Sequence, residues 1–285
     1  MPAPFTWANP YPTTRSPVMA RNVVSTSHPL ASSAGLRMLM KGGNAIDAAI
    51  AAAAALTIVE PISNGLGSDL FAILWDGTSL HGLNSSGTAP AAWTPAYFKR
   101  KGHTAMPVRG WDTVTVPGAV AGWAALSQRF GTLPFGDLLE PAIELAERGH
   151  GVGRITAHKW ALQVPLLKDQ PGYAQAFMPR GRAPEPGERF TLAEAGTTLR
   201  QIAATRGEAY YRGEIAHALA AHSAANGGAM TARDLADYRP DWVETISAPF
   251  AGHHVHEIPP NGQGIAALMA LGLLQQLDFA SLPVD

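Results

Sequence analysis

The sequence predicts an α+β protein whose sheet is assembled from segments that lie far apart in the chain. Runs with strand character occur near both ends, whereas helical patterns fill most of the chain between them. A length of 285 residues is compatible with one large α/β unit. We therefore expect an irregular arm over residues 1–21 and one domain over residues 22–285, with a helical excursion over about 119–240.

The first predicted elements are a short strand and two helices. Residues 22–27 carry the β-branched side chains typical of a strand. Pro29 starts a helix predicted over residues 30–40, and Asn44 is a good N-cap for a second helix over residues 45–59. The second helix is dominated by alanine, so neighbouring layers can approach it closely and we expect it to be buried.

A glycine-bearing turn at residues 63–69 leads into a predicted hairpin. Residues 70–75 and 79–83 form its strands, and Asp76-Gly77 forms its turn, because Asp-Gly between apolar runs is a strong hairpin signal. Residues 111–116 also have strand character, and residues 163–192 have no clear period and predict a loop. Further helices are predicted over residues 95–101, 119–130, 135–147, 192–204, 209–226, 231–238 and 265–276, and further strands over 242–246 and 253–258.

Composition argues against several classes of protein. The chain has 21 basic and 22 acidic residues and no basic stripe, so we expect no nucleic-acid partner. The longest apolar run, residues 45–59, is shorter than the roughly 20 residues of a membrane span, and residues 1–21 lack the apolar core of a secretory signal. We therefore predict no membrane association and a cytoplasmic location. Only 15% of the residues are charged, against about 25% in typical domains, which suggests extra burial against a partner subunit.

No residue of this chain is assigned a catalytic role. Cysteine is absent, and neither a Gly-x-Ser-x-Gly turn nor a Ser-x-x-Lys motif is present. His254 and His256 would share one face of a strand, but a protein metal site needs three or four ligands, so we predict no metal site. The glycine turns match neither dinucleotide-binding nor P-loop motifs, so no cofactor is predicted. Asp47 is better explained by hydrogen bonds to a nearby turn than by acid–base chemistry.

The polar residues that follow the predicted hairpin are candidates for substrate contacts. Asn84, Ser86 and Thr88 lie in the run Gly82-Leu83-Asn84-Ser85-Ser86-Gly87-Thr88-Ala89-Pro90, directly after a strand. Loops held by a rigid scaffold commonly carry binding residues. We therefore predict that these three residues bind substrate.

Several motifs in a fixed order resemble the gamma-glutamyltranspeptidase family of N-terminal-nucleophile hydrolases, and within it the oxamate amidohydrolase and cephalosporin acylase-like branch. The motifs are Gly42–Asp47, Glu60–Asp69, Gly110–Ala119, Leu133–Phe135, Asp237–Tyr238 and Pro259–Gly264. The resemblance implies an αββα sandwich with an added helical region, made as a precursor that cuts itself into a large and a small subunit. The nucleophile would be a threonine at the start of the small subunit, with its own amine as the base.

This resemblance implies that the chain is the large-subunit part of the precursor and that the nucleophile lies beyond Asp285. Its partner would be the small subunit, in a heterodimer or a dimer of heterodimers, and its substrate a small amide or acyl-amide. The glutathione enzymes hold the glutamyl α-carboxylate with an arginine, for which the two possible alignments place Ser86 or Thr88 here. A hydroxyl cannot form that bidentate ion pair, which argues against glutathione. The alternatives are a true transpeptidase and a non-catalytic scaffold of the same fold.

Overall fold

The computed structural model describes residues 18–277, in which helices and strands alternate irregularly along the chain. The helices are α1 Pro29–Met40, α2 Ala45–Val59, α3 Pro95–Arg100, α4 Ala119–Phe130, α5 Phe135–Arg148, α6 Arg154–Leu167, α7 Tyr173–Phe177, α8 Ala193–Thr205, α9 Glu208–Arg212, α10 Glu214–Ala225, α11 Ala232–Asp237 and α12 Gly264–Leu274. The strands are β1 Leu70–Trp75, β2 Leu80–Ser85, β3 His150–Gly151, β4 Arg189–Phe190, β5 Asp241–Val243, β6 Ile246–Phe250 and β7 His253–Glu257. The predicted arm lies outside the described residues except for residues 18–21, which form neither helix nor strand.

The largest sheet joins the predicted hairpin to a strand from much later in the chain. Its order is β1-β2-β5, with both pairs antiparallel. Directly opposite residues share a face, so Leu70, Ala72 and their partners form an inner face, whereas Phe71, Asn84 and Asp241 lie in one row on the outer face. Within residues 18–277, β1 and β5 are the edges of this sheet.

The inner face of the sheet packs on the main hydrophobic core. Gly122 of α4 lies so close to the sheet that an added Cβ would be 2.9 Å from Leu70 Cδ2. Trp123 of α4 is buried in the same core, which α2 enters through its alanine and isoleucine side chains. The alanine-rich helix is therefore buried, as the sequence predicts.

Helix α2 begins with a complete capping box. The Asn44 side chain accepts hydrogen bonds from the backbone of Ile46 and Asp47, and Asp47 in return accepts one from the backbone N–H of Asn44 at 2.9 Å. The buried Asp47 carboxylate also accepts hydrogen bonds from the N–H groups of Thr132 and Leu133, at 3.2 and 3.3 Å. The predicted structural role of Asp47 is confirmed.

Two predicted strands are wrong. Residues 22–27 pair with no described strand, and Val24 instead packs its side chain against Gly35 of α1. Residues 111–116 begin with a 3-10 turn, Trp111–Thr113, in which Thr113 N–H donates to the carbonyl of Gly110 at 3.1 Å. Their β-branched side chains favour extended backbone, but a strand also requires a hydrogen-bonding neighbour over several residues.

The middle of the chain is more regular than predicted. The predicted loop over residues 163–192 contains the end of α6, all of α7 and the short strand β4. Trp160 and Phe190 bury their rings against each other at a centroid distance of 4.9 Å and form a small second core there. The helix predicted over residues 209–226 is divided at Gly213, whose added Cβ would meet the Ala209 backbone at 2.8 Å.

The segment that follows β7 contacts the outer face of the sheet. The Ile258 side chain, just after β7, would be 3.0 Å from a Cβ added to Gly82, and Gly262 approaches the Phe71 ring. The hairpin of β6 and β7 packs against α12. The core helices and the three-stranded sheet thus form one helix-and-sheet pair, and the hairpin and α12 form a second, the two pairs expected of an αββα sandwich. Within residues 18–277, no helix is both long enough and apolar enough to cross a membrane.

Candidate functional site

The end of β2, the loop that follows it and the turn after β7 meet in a group of neutral polar side chains, which we call the polar cluster: Asn84, Ser86 and Asn261. The Asn84 amide donates to Asn261 Oδ1 at 2.9 Å. Ser86 Oγ donates to the same oxygen at 3.2 Å and accepts from Asn261 Nδ2 at 2.9 Å. The structure therefore brings together two of the three predicted substrate-binding residues and adds Asn261. Asn261 is not among the predicted substrate-binding residues, although it lies in the quoted motif Pro259–Gly264.

Thr88 lies apart from the polar cluster. Its carbonyl accepts a hydrogen bond from Val116 N–H at 2.9 Å, and its side chain is exposed without a hydrogen bond to any described residue. Gly87 causes the separation because its φ of +82° turns the chain between Ser86 and Thr88. Ser86 and Thr88 are the two positions that could correspond to the arginine of the glutathione enzymes, and of these only Ser86 lies in the polar cluster.

Two glycines allow the loop to lie directly on the segment that precedes α4. A Cβ added to Gly87 would overlap the carbonyl oxygen of Val116, and one added to Gly118 would overlap the carbonyl oxygen of Ser85. Neither residue tolerates a side chain without backbone movement. The loop position is thus fixed by backbone contacts rather than by flexible side chains.

Tyr238 lies beneath the loop and links it to α11. Ser85 Oγ donates to the Gly118 carbonyl at 2.7 Å, so the Tyr238 hydroxyl donates to Ser85 Oγ at 3.0 Å, and it also accepts from Gly87 N–H at 3.3 Å. Burial chiefly raises the pKa of Tyr238, with smaller contributions from the charges of Asp241 and Asp69. The hydroxyl therefore keeps its proton at neutral pH and remains a donor.

Two further tyrosines hold the segments around this loop. Tyr211 OH donates to the Pro117 carbonyl at 2.7 Å, and Tyr210 OH donates to the Leu66 carbonyl at 2.7 Å. The rings of Tyr211 and Tyr238 stack at 5.8 Å. Burial raises the pKa of Tyr210 and of Tyr211, so both act as neutral donors. The site is therefore supported on its inner side by a buried, fully protonated tyrosine group.

A cavity of about 430 Å³ lies beside the edge of β1 that has no described neighbour. Ala49, Ala53 and Leu56 of α2 form its apolar base, while Asn64 and Asp69 lie at its polar side. The same three α2 residues also line a groove beside residues 21–26. An apolar surface thus extends along α2 between the β1 edge and the extended N-terminal segment.

The histidines form no metal centre in the part of the chain that is described. No group of three or more His, Cys, Asp or Glu side chains there could hold a metal ion. His254 and His256 lie on β7, where the His256 ring contacts Thr245 Oγ1 at 3.0 Å. His150 is buried beside Phe190, and neither of its ring nitrogens has a described hydrogen-bond partner. Burial chiefly lowers the pKa of His150 to about 4, so this ring is neutral at pH 7.

The layers, the glycine-supported loop and the quoted motifs define an N-terminal-nucleophile hydrolase fold. The chain belongs to the gamma-glutamyltranspeptidase family, whose model matches residues 31–285. The family expected from the motifs is therefore confirmed. In structure, the chain is similar to cephalosporin acylase from Bacillus halodurans, with 46% identity and a TM-score of 0.91, over 96% of this chain and 53% of the acylase chain.

Curated relatives agree with this assignment and with the predicted branch. The chain is 36% identical to the Glutathione hydrolase-like YwrD proenzyme of Bacillus subtilis (strain 168), over 94% of this chain and 51% of the relative. It is 37% identical to the Acylase ACY 1 proenzyme of Pseudomonas sp. (strain SE83), over 92% of this chain and 49% of the relative. The chain thus spans about half the length of the curated relatives that it matches.

Proposed function

We propose that this chain is the large-subunit part of a self-processing amide hydrolase that acts on a small amide or acyl-amide. The main supporting observation is the family match over residues 31–285. In addition, the chain covers only about half the length of relatives that are named proenzymes. The nucleophile would be the N-terminal threonine of a small subunit from the same precursor. Residues 22–285 would form part of one αββα domain with that subunit. A cytoplasmic location stays a prediction from the sequence.

Exposed apolar surfaces support a partner subunit. Ile73 and Trp75 point outward from β1 and are 39% and 63% exposed. The edge of β1 has no described neighbour, and an unpaired strand edge readily accepts another strand. Helix α12 is apolar on every side, yet Leu268 is its only buried residue in the described structure. A small subunit that pairs with β1 and covers α12 would bury these surfaces, in a heterodimer or a dimer of heterodimers.

The polar cluster supports a role for Asn84 and Ser86 in substrate binding. Asn84 lies at the end of the central strand β2, and Ser86 lies in the loop that follows, which Gly87, Gly118 and Tyr238 fix in place. Such a rigid loop can hold an acyl group in one orientation. We place the acyl end of the substrate against this cluster, and Thr88 at its margin.

A second candidate function is glutathione hydrolysis or glutamyl transfer. One relative, which is 36% identical to this chain, is named glutathione hydrolase-like, and this favours the alternative. The neutral side chains at Ser86 and Thr88 argue against it because neither can pair with an α-carboxylate. A non-catalytic scaffold with the same fold is the remaining alternative.

The experiment that separates these functions uses the full-length gene product. We expect it to cleave itself into two fragments, the smaller of which begins with threonine, and to hydrolyse small acyl anilides. Replacing that threonine by alanine should leave the chain uncleaved. A full-length protein that never cleaves and hydrolyses no anilide is a scaffold, and strong acceleration of gamma-glutamyl anilide turnover by glycylglycine identifies a transpeptidase.

Restoring a guanidinium group in the loop should change substrate selection. We expect Ser86→Arg to lower KM for carboxylate-bearing anilides by roughly one to two decades, the effect of one charged hydrogen bond of about 1.5–3 kcal/mol. Thr88→Arg, which starts outside the polar cluster, should have a smaller effect. The measurement is KM for glutaryl and pentanoyl anilides with each processed variant. If both variants process normally and leave the substrate profile unchanged, the loop does not contact the substrate.

A further inference from the structure

The outer face beside the polar cluster has a definite chemical preference. We propose that this site binds an acyl head group that donates hydrogen bonds and carries no negative charge, an ammonium group first and a primary amide second, with Asp241 as a specificity-determining residue. The proposal rests on the proposed function, since it assumes that the acyl end of a substrate reaches this loop. It adds the chemical class of that acyl end.

The pairing of β2 with β5 places Asp241 next to the polar cluster. Asn84 is directly opposite Phe71 on one side and Asp241 on the other, so the three side chains form a row across the outer face. Opposite residues in antiparallel strands have Cβ atoms about 4.5–5.5 Å apart. The carboxylate of Asp241 is exposed and joined by no hydrogen bond or ion pair to another described residue. It is therefore available to a ligand placed over Asn84.

The oxygens of the polar cluster can also accept hydrogen bonds from a ligand. Asn84 Oδ1 accepts one hydrogen bond, from Ser86 N–H at 3.0 Å, and an amide oxygen can accept two. Ser86 Oγ accepts from Asn261 Nδ2 and likewise keeps acceptor capacity. Together with the Asp241 carboxylate, these oxygens present acceptors on one side of the row. The Phe71 ring, 40% exposed, borders the other side and can contact the aliphatic part of an acyl chain or present its face to an ammonium group.

The charges around the loop also favour a positively charged head group over a carboxylate. Asp241 and Asp69 both lie near enough to raise the pKa of Tyr238, although burial is the larger cause. Arg239 lies two positions before Asp241 in the sequence, but its guanidinium donates to the carbonyls of Ala236 and Tyr238, at 2.8 and 2.6 Å. The Arg239 charge is thus held towards α11. A carboxylate placed on the polar cluster would meet negative charge, whereas an ammonium group would be attracted.

The test compares acyl groups of equal length on the processed full-length protein. We expect kcat/KM to be highest for a 5-aminopentanoyl anilide, lower for 4-carbamoylbutanoyl, and at least about tenfold lower for glutaryl, in line with one charged hydrogen bond. Asp241→Asn should reduce the ratio of aminopentanoyl to glutaryl turnover severalfold. Asp169→Asn, which makes the same charge change in the loop between α6 and α7, should leave the ratio unaltered. A glutaryl preference, or a ratio insensitive to Asp241→Asn, overturns the proposal.

A binding measurement decides the proposal even if the protein hydrolyses none of these anilides. The melting temperature of the full-length protein is measured with 5-aminopentanamide, pentanamide and the monoamide of glutaric acid. We expect 5-aminopentanamide to stabilise the protein most, and Asp241→Asn to remove that advantage. Equal melting temperatures with all three compounds, or a larger effect of the glutaric monoamide, contradict the inference. Loss of hydrolysis with retained selective binding overturns only the proposed function.

Discussion

Expressed by themselves, residues 1–285 are expected to form aggregates or a non-cooperative species rather than a folded monomer. Trp75 is 63% exposed, and Met269 and Leu273 of α12 are 65% and 71% exposed. Exposed apolar side chains of this size, together with the edge of β1 that has no described neighbour, favour association. The measurements are sedimentation velocity and calorimetry on residues 1–285, with the full-length gene product as the control that should melt cooperatively. A monomer with a sharp two-state melt would contradict this expectation.

A single substitution on α12 should have opposite effects on residues 1–285 alone and on the full-length protein. Leu273→Glu is expected to reduce aggregation of residues 1–285 but to destabilise the full-length protein, because there the same side chain would be covered. Leu162→Glu is the matched control, since Leu162 is 60% exposed on α6, away from this surface. Equal effects of the two substitutions would show that α12 has no partner.

Gly118→Ala is expected to disrupt both the stability and the loop of the full-length protein. The added methyl group would overlap the Ser85 carbonyl and approach Tyr238 OH at 2.9 Å. The backbone cannot easily retreat, because Gly118 N–H donates to the Ser68 carbonyl at 3.0 Å. We therefore expect a loss of about 3 kcal/mol in the free energy of unfolding, the upper part of the usual range for overpacking.

The measurement is urea unfolding of the processed protein, together with KM for its best anilide. Gly67→Ala is the control, since an added Cβ there has no neighbour within 4 Å, and we expect a change of less than about 1 kcal/mol. KM should rise for Gly118→Ala because a shift of Ser85 also displaces its neighbours Asn84 and Ser86, which belong to the polar cluster. Unchanged stability and KM would mean that the loop adapts freely and is not a rigid site.

Elements defined by local chemistry could be predicted from the sequence. The Asn44 cap and the apolar run after it give α2 with the predicted limits, and Asp76-Gly77 gives the hairpin of β1 and β2. In both cases the residues that form the decisive hydrogen bonds lie within a few positions of one another. Such signals do not depend on the rest of the chain.

Elements that need a distant neighbour could not be predicted in the same way. Residues 22–27 and 111–116 have suitable side chains for strands, but no described strand pairs with them. Trp160 and Phe190 stabilise helix and strand in a segment whose prolines and glycines indicate a loop. Local composition was misleading there because long-range packing contributes more to stability than intrinsic propensity does.

The sequence by itself determined the family, the buried α2 helix and the polar loop as the place to look for a substrate site. Only the tertiary structure decided which side chains form that site. It joins Asn84 to Asn261, 177 residues further along the chain, and places Asp241 beside them through the pairing of β2 with β5. It also separates Ser86 from Thr88 through the positive φ of Gly87. The physical reason is that strand register and backbone turns bring residues together in space, and neither can be read from the spacing of residues along the chain.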